Sequence, residues 1–257
     1  MAATDFNLGQ RQGGKGRGQS TGSGNHHFGK YRIRRKSVVL HCQFPLSEAE
    51  ALIFLNGQRD DVTAVIAHLD AYQHLIVADG AWNDLHDTAV GERLTADHGA
   101  TGTISAVIGD GDSIIEPPAG FIEAVNQHNT DFEKIMAYLL TAGVASADIY
   151  WGSGGEMDHF LGNLSVAAKY GHAIRLRFFD ANHCYFYSAE SCQIIGAKNK
   201  QLSIYPFPKA LVSSQGLRYE LDNKLLKQYE QQSLRNTIIS QQADIRLRGN
   251  AFLFIQR

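Results

Sequence analysis

Cysteine is scarce in this chain. The 257 residues hold three, Cys42, Cys184 and Cys192, and none belongs to a C-x-x-C pair. So odd and sparse a set provides no disulfide framework and points to a reducing, cytoplasmic compartment. Long apolar runs are missing too: none approaches the roughly 20 residues that span a bilayer, and the first residues lack the apolar centre of a secretory signal. No membrane association is therefore expected. Neither charge sign is in excess, with 24 Lys and Arg against 26 Asp and Glu. At a net charge of −2 the chain is no general electrostatic trap for nucleic acid. No internal repeat of fixed period is found. What remains, 44% hydrophobic and 19% charged residues, is the composition of an ordinary globular protein with one large domain or two modest ones.

Residues 1–36 stand apart. "GQRQGGKGRGQSTGSGN" is glycine-rich, basic and without periodicity, and cannot bury enough apolar area to fold alone. Gly9 to Lys15 nearly spells a phosphate loop, but Gly16 stands where Ser or Thr is required and no strand precedes it. A flexible tail with weak anion contacts is the expectation. From residue 37 the pattern alternates. "ALIFLNG", "HLIVADG", "ISAVIGDGD" and "ADIYWGSGG" read as buried strands. "DDVTAVIAHLDAY", "AWNDLHDTAV", "TDFEKIMAYLLTAG" and "MDHFLGNLSVAAKYG" read as helices, with Thr130 as an N-cap and Glu133 completing its box. Residues 37–173 are thus expected to form a three-layer, mainly parallel α/β domain. After residue 173 the segments "AIRLRFFD", "CYFYSA", "CQIIGA", "LSIYPFP", "GLRYEL" and "AFLFIQR" are short, aromatic and β-branched. Residues 174–257 are expected to form an all-β domain, sandwich- or barrel-like.

Ligands of open α/β sheets bind beyond the carboxyl ends of the strands. Here four apolar strands end in Asn56-Gly57, Asp79-Gly80 with Asn83 close behind, Gly109-Asp110-Gly111-Asp112-Ser113, and Gly152-Ser153-Gly154-Gly155. Taken singly, each has a plainer reading. Asp79-Gly80 suits a turn, Asp110 and Asp112 suit a helix cap, and Asp131 suits the dipole of the helix it opens. Together, glycines that admit phosphates and carboxylates that hold a hard cation describe a nucleotide cleft.

In this order the residues resemble thiamine pyrophosphokinase. That family runs N-G, A-D-G-A-x-N, G-D-x-D-S, D-Q-D-x-T-D, G-G-R-x-D-H-x-x-x-N, G-L-x-W and S-x-S-N. The chain reads Asn56-Gly57, "ADGAWN", "GDGDS", "NQHNTD", "GGEMDHFLGN", "GLRY" and "SLRN" between about residues 51 and 236. The resemblance implies transfer of pyrophosphate from ATP to thiamine, giving AMP and thiamine diphosphate. It implies that Asp110, Asp112 and Asp131 are catalytic and hold Mg²⁺. It implies nucleotide contacts from Asn56, Gly57, Asp79, Gly80, Asn83, Ser113, Thr130, Asp158 and His159. Acceptor contacts are implied for Gln127, Tyr219, Ser233 and Asn236, and the assembly implied is a homodimer.

The departures are specific. Asn126 and His128 stand where the family has aspartates, Glu156 where it has arginine, Tyr219 where it has tryptophan, and Arg235 where it has serine. A carboxylate at 156 repels phosphates unless it helps to hold metal. Three alternatives therefore stand beside the thiamine reading. They are a pyrophosphokinase for another heterocyclic alcohol such as a pterin, a non-catalytic nucleotide- or thiamine-binding relic, and a Mg²⁺-dependent nucleotide hydrolase.

Overall fold

The computed structural model describes residues 38–41, 49–97, 102–124 and 128–257, the first four as backbone only. The elements begin with β1 (Val38–His41) and β2 (Ala51–Phe54), then a single turn α1 (Thr63–Ile66), and β3 (His74–Ala78). Helices α2 (Asp79–Leu85) and α3 (Ala89–Ala96) precede β4 (Ser105–Gly109). After the short β5 (Ile122–Glu123) come α4 (Asp131–Thr141), β6 (Ser146–Tyr150) and α5 (Met157–Tyr170). The remainder is strand: β7 (Arg175–Phe179), β8 (His183–Ser188), β9 (Cys192–Ile195), β10 (Gln201–Gln215), β11 (Lys224–Lys227), β12 (Ser233–Thr237) and β13 (Gln242–Gln256).

The chain is a mixed α/β protein with a parallel region followed by an antiparallel one. Strands β7, β6, β2, β3, β4 and β5 pair in that order, all parallel. At β7 the ladder turns antiparallel to β8, and continues through β13 to β9. Strand β1, early in sequence, lies parallel to β9 at the far edge. The parallel strands are apolar on both faces, as strands covered by helices must be. Ala51, Ile53, Ile76, Ala78, Ala106 and Ile108 face one core with Phe132, Ile135 and Met136 of α4 and Leu164 and Ala167 of α5. Leu52, Phe54, Leu75, Val77 and Val107 face another with Ala81, Trp82 and Leu85 of α2 and Val90 and Leu94 of α3. The antiparallel strands enclose a third core, with Ile194, Leu202, Ile204, Val212, Ile245 and Leu253.

Three segments depart from the sequence reading. "DDVTAVIAHLDAY" does bury Val62, Val65, Leu69 and Tyr72 at helical spacing. It does so with one α turn and a 3₁₀ turn (Leu69–Ala71) rather than one helix. Four β-branched residues in the five from Val62 to Ile66 disfavour propagation, and Asp61 Oδ1 accepts from Thr63 N–H at 2.9 Å, which sets a turn. "GLRYEL" forms no strand: the Glu220 carboxylate accepts from the backbone N–H of Gly216 and Leu217, and a folded-back side chain replaces the ladder. Conversely, β10 does not stop at its prolines. The β10–β13 register shifts between Pro206 and Ala210, and this irregularity accommodates residues that cannot donate to the ladder.

Candidate active site

The carboxyl ends of β6, β2, β3 and β4 are neighbours on one edge of the sheet, and their terminal residues interlock. Asp79 is wholly buried. Its Oδ1 accepts from Gly80 N–H at 2.6 Å and its Oδ2 from Gly111 N–H at 3.2 Å, joining the end of β3 to the loop after β4. Gly109 is required here, because a Cβ on it would fall 2.3 Å from Asp79 Cγ. Gly80 is required for the same kind of reason, since its Cβ would lie 2.3 Å from Asn56 Nδ2. The loop beyond β4 is held by α2. Asn83 Nδ2 donates to Ser113 O at 2.8 Å, Asn83 Oδ1 accepts from Ile115 N–H at 3.0 Å, and Trp82 Nε1 donates to Glu116 O. Ser113 Oγ in turn donates to Asp112 Oδ1 at 2.8 Å.

Asp79, Asp110 and Asp112 each place a carboxylate oxygen within 4.8 Å of the others. Burial, followed by the negative charges of Asp131 and Asp110, pushes the Asp79 carboxyl above its ordinary range. Burial also acts upward on Asp110, but the hydrogen bond from Asp112 and the charge of Lys134 outweigh it and hold Asp110 low. Three converging carboxylates form a hard-oxygen donor set, which fits a Mg²⁺-like cation.

Helix α4 supplies the opposite wall. Thr130 caps it, its Oγ1 accepting from Glu133 N–H at 3.3 Å, as the sequence implied. Asp131 Oδ1 accepts from Lys134 Nζ at 2.9 Å, and the same ammonium lies 3.6 Å from Asp110 Oδ2. Lys134 is buried, at 8% exposure. Burial opposes its charge, yet Asp131 and Asp110 keep it more firmly protonated than an ordinary lysine. Of the carboxylates read from sequence, Asp110 and Asp112 stand with Asp79, and Asp131 pairs through Oδ1 with Lys134, which also approaches Asp110. The sequence reading missed Lys134, whose only signal was its i,i+3 spacing from Asp131.

It also missed Arg59. The Arg59 guanidinium donates to Asn56 Oδ1, Gly57 O, Gly80 O and Asp84 Oδ2, and lies 4.7 Å from the centre of the Trp151 ring. One side chain therefore clamps the ends of β2, β3 and β6.

At the start of α5, Glu156, Asp158 and His159 are exposed. His159 Nε2 lies 3.2 Å from Glu156 Oε2, and Asp158 Oδ1 accepts from His159 N–H. Asn163 Nδ2 donates to Gly152 O at 2.9 Å and ties the helix to the end of β6. In the β region, Asn236 is buried and its carboxamide is spent on backbone: Oδ1 accepts from Tyr219 and Thr237 N–H, and Nδ2 donates to Tyr219 O. Tyr219 itself is 70% exposed. Ser233 is half-buried at the start of β12, and Arg235 carries a φ of 56°. Gln127 and Asn126 lie outside the described residues, and His128 is exposed. A groove of about 630 Å³ on β10 and β13, walled by Arg246 and Arg248, contains none of these site residues.

A raised Asp79 has a testable consequence. The folded state prefers its protonated form, so Asp79 favours folding of the metal-free chain at low pH and loses that contribution as pH rises through its raised pKa. A cation needs the ionised form. Mn²⁺ affinity is therefore expected to begin falling at a pH where ordinary carboxylates are still ionised. Titration calorimetry from about pH 8 down to about pH 5 should show this. In Asp79→Asn the upper part of the dependence should vanish; if it persists unchanged, another group carries it.

Residues 66–178 match the family described as thiamin pyrophosphokinase, catalytic domain. No curated protein matches the sequence. Among solved structures, yeast thiamin pyrophosphokinase aligns at 15% identity over 85% of this chain and 90% of its own, with a TM-score of 0.69. Thiamin pyrophosphokinase from Candida albicans aligns at 14% identity over 86% and 93%, with a TM-score of 0.67. Thiamine pyrophosphokinase from Bacillus subtilis aligns at 18% identity over 80% and 98%, with a TM-score of 0.64. At such identities these structures establish a shared fold.

Proposed function

We propose that this chain, a divergent member of the thiamin pyrophosphokinase family through its catalytic domain, transfers pyrophosphate from ATP to thiamine. The thiamine hydroxyl oxygen would bond to the β-phosphorus, the bridging oxygen would leave with AMP, and the hydroxyl proton would pass to solvent. The observation that carries this reading is the trio Asp79, Asp110 and Asp112, converging at the ends of adjacent strands within the matched region. A magnesium ion held by these carboxylates would set positive charge against the phosphates.

The chain's own residues would do the positioning. Gly57 and Gly80 allow the ends of β2, β3 and β6 to pack closely, Asn56 is oriented by Arg59, and Asn83 fixes the loop bearing Asp112 and Ser113; the nucleotide would lie against these ends. Thr130 and Asp131 at the start of α4, and Asp158 and His159 at the start of α5, would contact the nucleotide. The β region would receive the acceptor. There Asn236 would act by positioning Tyr219, with Ser233 beside it in sequence; Gln127, outside the described residues, is the remaining acceptor contact that the family resemblance implies. The same reading makes the working form a cytoplasmic homodimer handling small molecules. Among the described residues, no helix is long and apolar enough to cross a membrane.

One observation favours a second acceptor. The family's late asparagine is present as Asn236, but its hydrogen-bonding groups are taken by backbone, and Tyr219 and Arg235 replace family residues beside it. A different heterocyclic alcohol fits that change. Incubation with ATP, Mg²⁺ and thiamine, followed by chromatography, decides. Equal amounts of AMP and thiamine diphosphate are expected. AMP formed only with another alcohol supports the second acceptor, ADP accumulation rules out pyrophosphoryl transfer, and binding without product indicates a relic.

A further inference from the structure

Lysine is rarely buried, and a buried ammonium must be paired. Lys134 is paired twice, to Asp131 Oδ1 at 2.9 Å and to Asp110 Oδ2 at 3.6 Å, and its side chain is 6% exposed. Asp110 also belongs to the trio with Asp79 and Asp112. It is therefore shared between two cation positions, one occupied by the chain's own ammonium and one fit for a divalent ion. Asp131 is the ammonium's nearer partner. Four carboxylates and one ammonium leave three negative charges uncompensated, which is room for one divalent ion but poor provision for two.

We infer that Lys134 is the resident cation of this site: it competes with a divalent ion for Asp110 and Asp131 and so moderates the affinity of the cluster for metal. This deepens the reading of the carboxylates as a metal site and rests on it. Two cations sharing one carboxylate repel, so the ammonium weakens metal binding even where it does not block it. Its benefit falls to the metal-free chain, which keeps Asp110 and Asp131 in place without leaving four carboxylates to repel one another.

The test is Mn²⁺ titration by calorimetry on the full chain without nucleotide. Wild type is expected to bind one equivalent. Lys134→Met, which keeps the stem and removes the charge, should bind Mn²⁺ about tenfold more tightly or take up a second equivalent. Lys134→Arg should bind no more tightly than wild type. A residue that merely supports the cluster would show the reverse, and unchanged or weaker binding in a folded Lys134→Met overturns the inference. If Lys134→Met loses its fold, Lys134→Gln replaces it, with the same expectation. Should both fail, reductive methylation of wild type read by mass spectrometry decides. Lys134 should be labelled faster with Mn²⁺ than without, and equal or slower labelling overturns the inference. A wild type that binds no Mn²⁺ also overturns it, while leaving the AMP assay to judge the reaction separately.

Discussion

Asp112→Asn is expected to lower the rate of AMP release roughly 10²-fold or more while leaving the melting temperature where it is. Asp112 is exposed and its side chain contacts only its near neighbours in sequence, Ser113 and Asp110, so the fold asks little of its charge. Its neighbours ask more. With Asp79 and Asp110 it makes a three-oxygen cradle, and an amide keeps the shape while removing one negative charge. Asp110→Asn should fall at least as far, because it also deprives Lys134 of its second carboxylate. Steady-state rates across a magnesium titration, paired with thermal unfolding, check both variants. Magnesium should partly rescue Asp112→Asn, since the loss is one of affinity. An unchanged rate and magnesium dependence would remove Asp112 from the site.

The second large effect lies in the core. Asp148 in the middle of β6 is 2% exposed and pairs in register with Arg177 of β7. The contact is bidentate: Arg177 Nε donates to Oδ1 at 2.8 Å and Nη2 to Oδ2 at 2.9 Å, while the Tyr72 hydroxyl donates to Oδ2 at 2.9 Å. Arg177→Met fills similar space but leaves Asp148 charged and buried without its ion-pair partner. The expected loss is about 3–5 kcal/mol, enough to lower the melting temperature by roughly 10 °C. The pair as a whole contributes far less than the loss of half of it. Asp148→Leu combined with Arg177→Met should recover most of the loss, with about 1 kcal/mol retained for the hydrogen bond that the Tyr72 hydroxyl loses. Urea unfolding of the three variants measures this. A loss below about 1 kcal/mol in Arg177→Met would show that water reaches Asp148.

Both effects trace to what was and was not legible in the chain. Strand ends were legible, because an apolar run broken by Gly and Asp is a local signal, and the residues at 56, 79, 110 and 152 do end adjacent strands. The α4 cap was legible because Thr130 and Glu133 are three residues apart. Lys134 and Arg59 were not. A lysine on a helix and an arginine in a loop look like solvated charge until their partners arrive from elsewhere. Arg59 meets Gly80 across 21 positions and Asp84 across 25. The metal trio has the same character: Asp79 reaches the β4 loop across 32 positions.

Element order, the two-sided apolar character of the parallel strands and the placing of Gly and Asp at their ends were already written in the linear chain, since each depends on the few residues around it. The folded structure alone decided which carboxylates meet, that Asp131 is held by an ammonium, that β1 joins the far edge of the sheet, and that β10 and β13 run on as long partners. Those outcomes depend on strand register and on what burial does to a charge. Neither is a property of any short stretch: register is settled between segments far apart in sequence, and the cost of a buried charge is known only once its neighbours are in place.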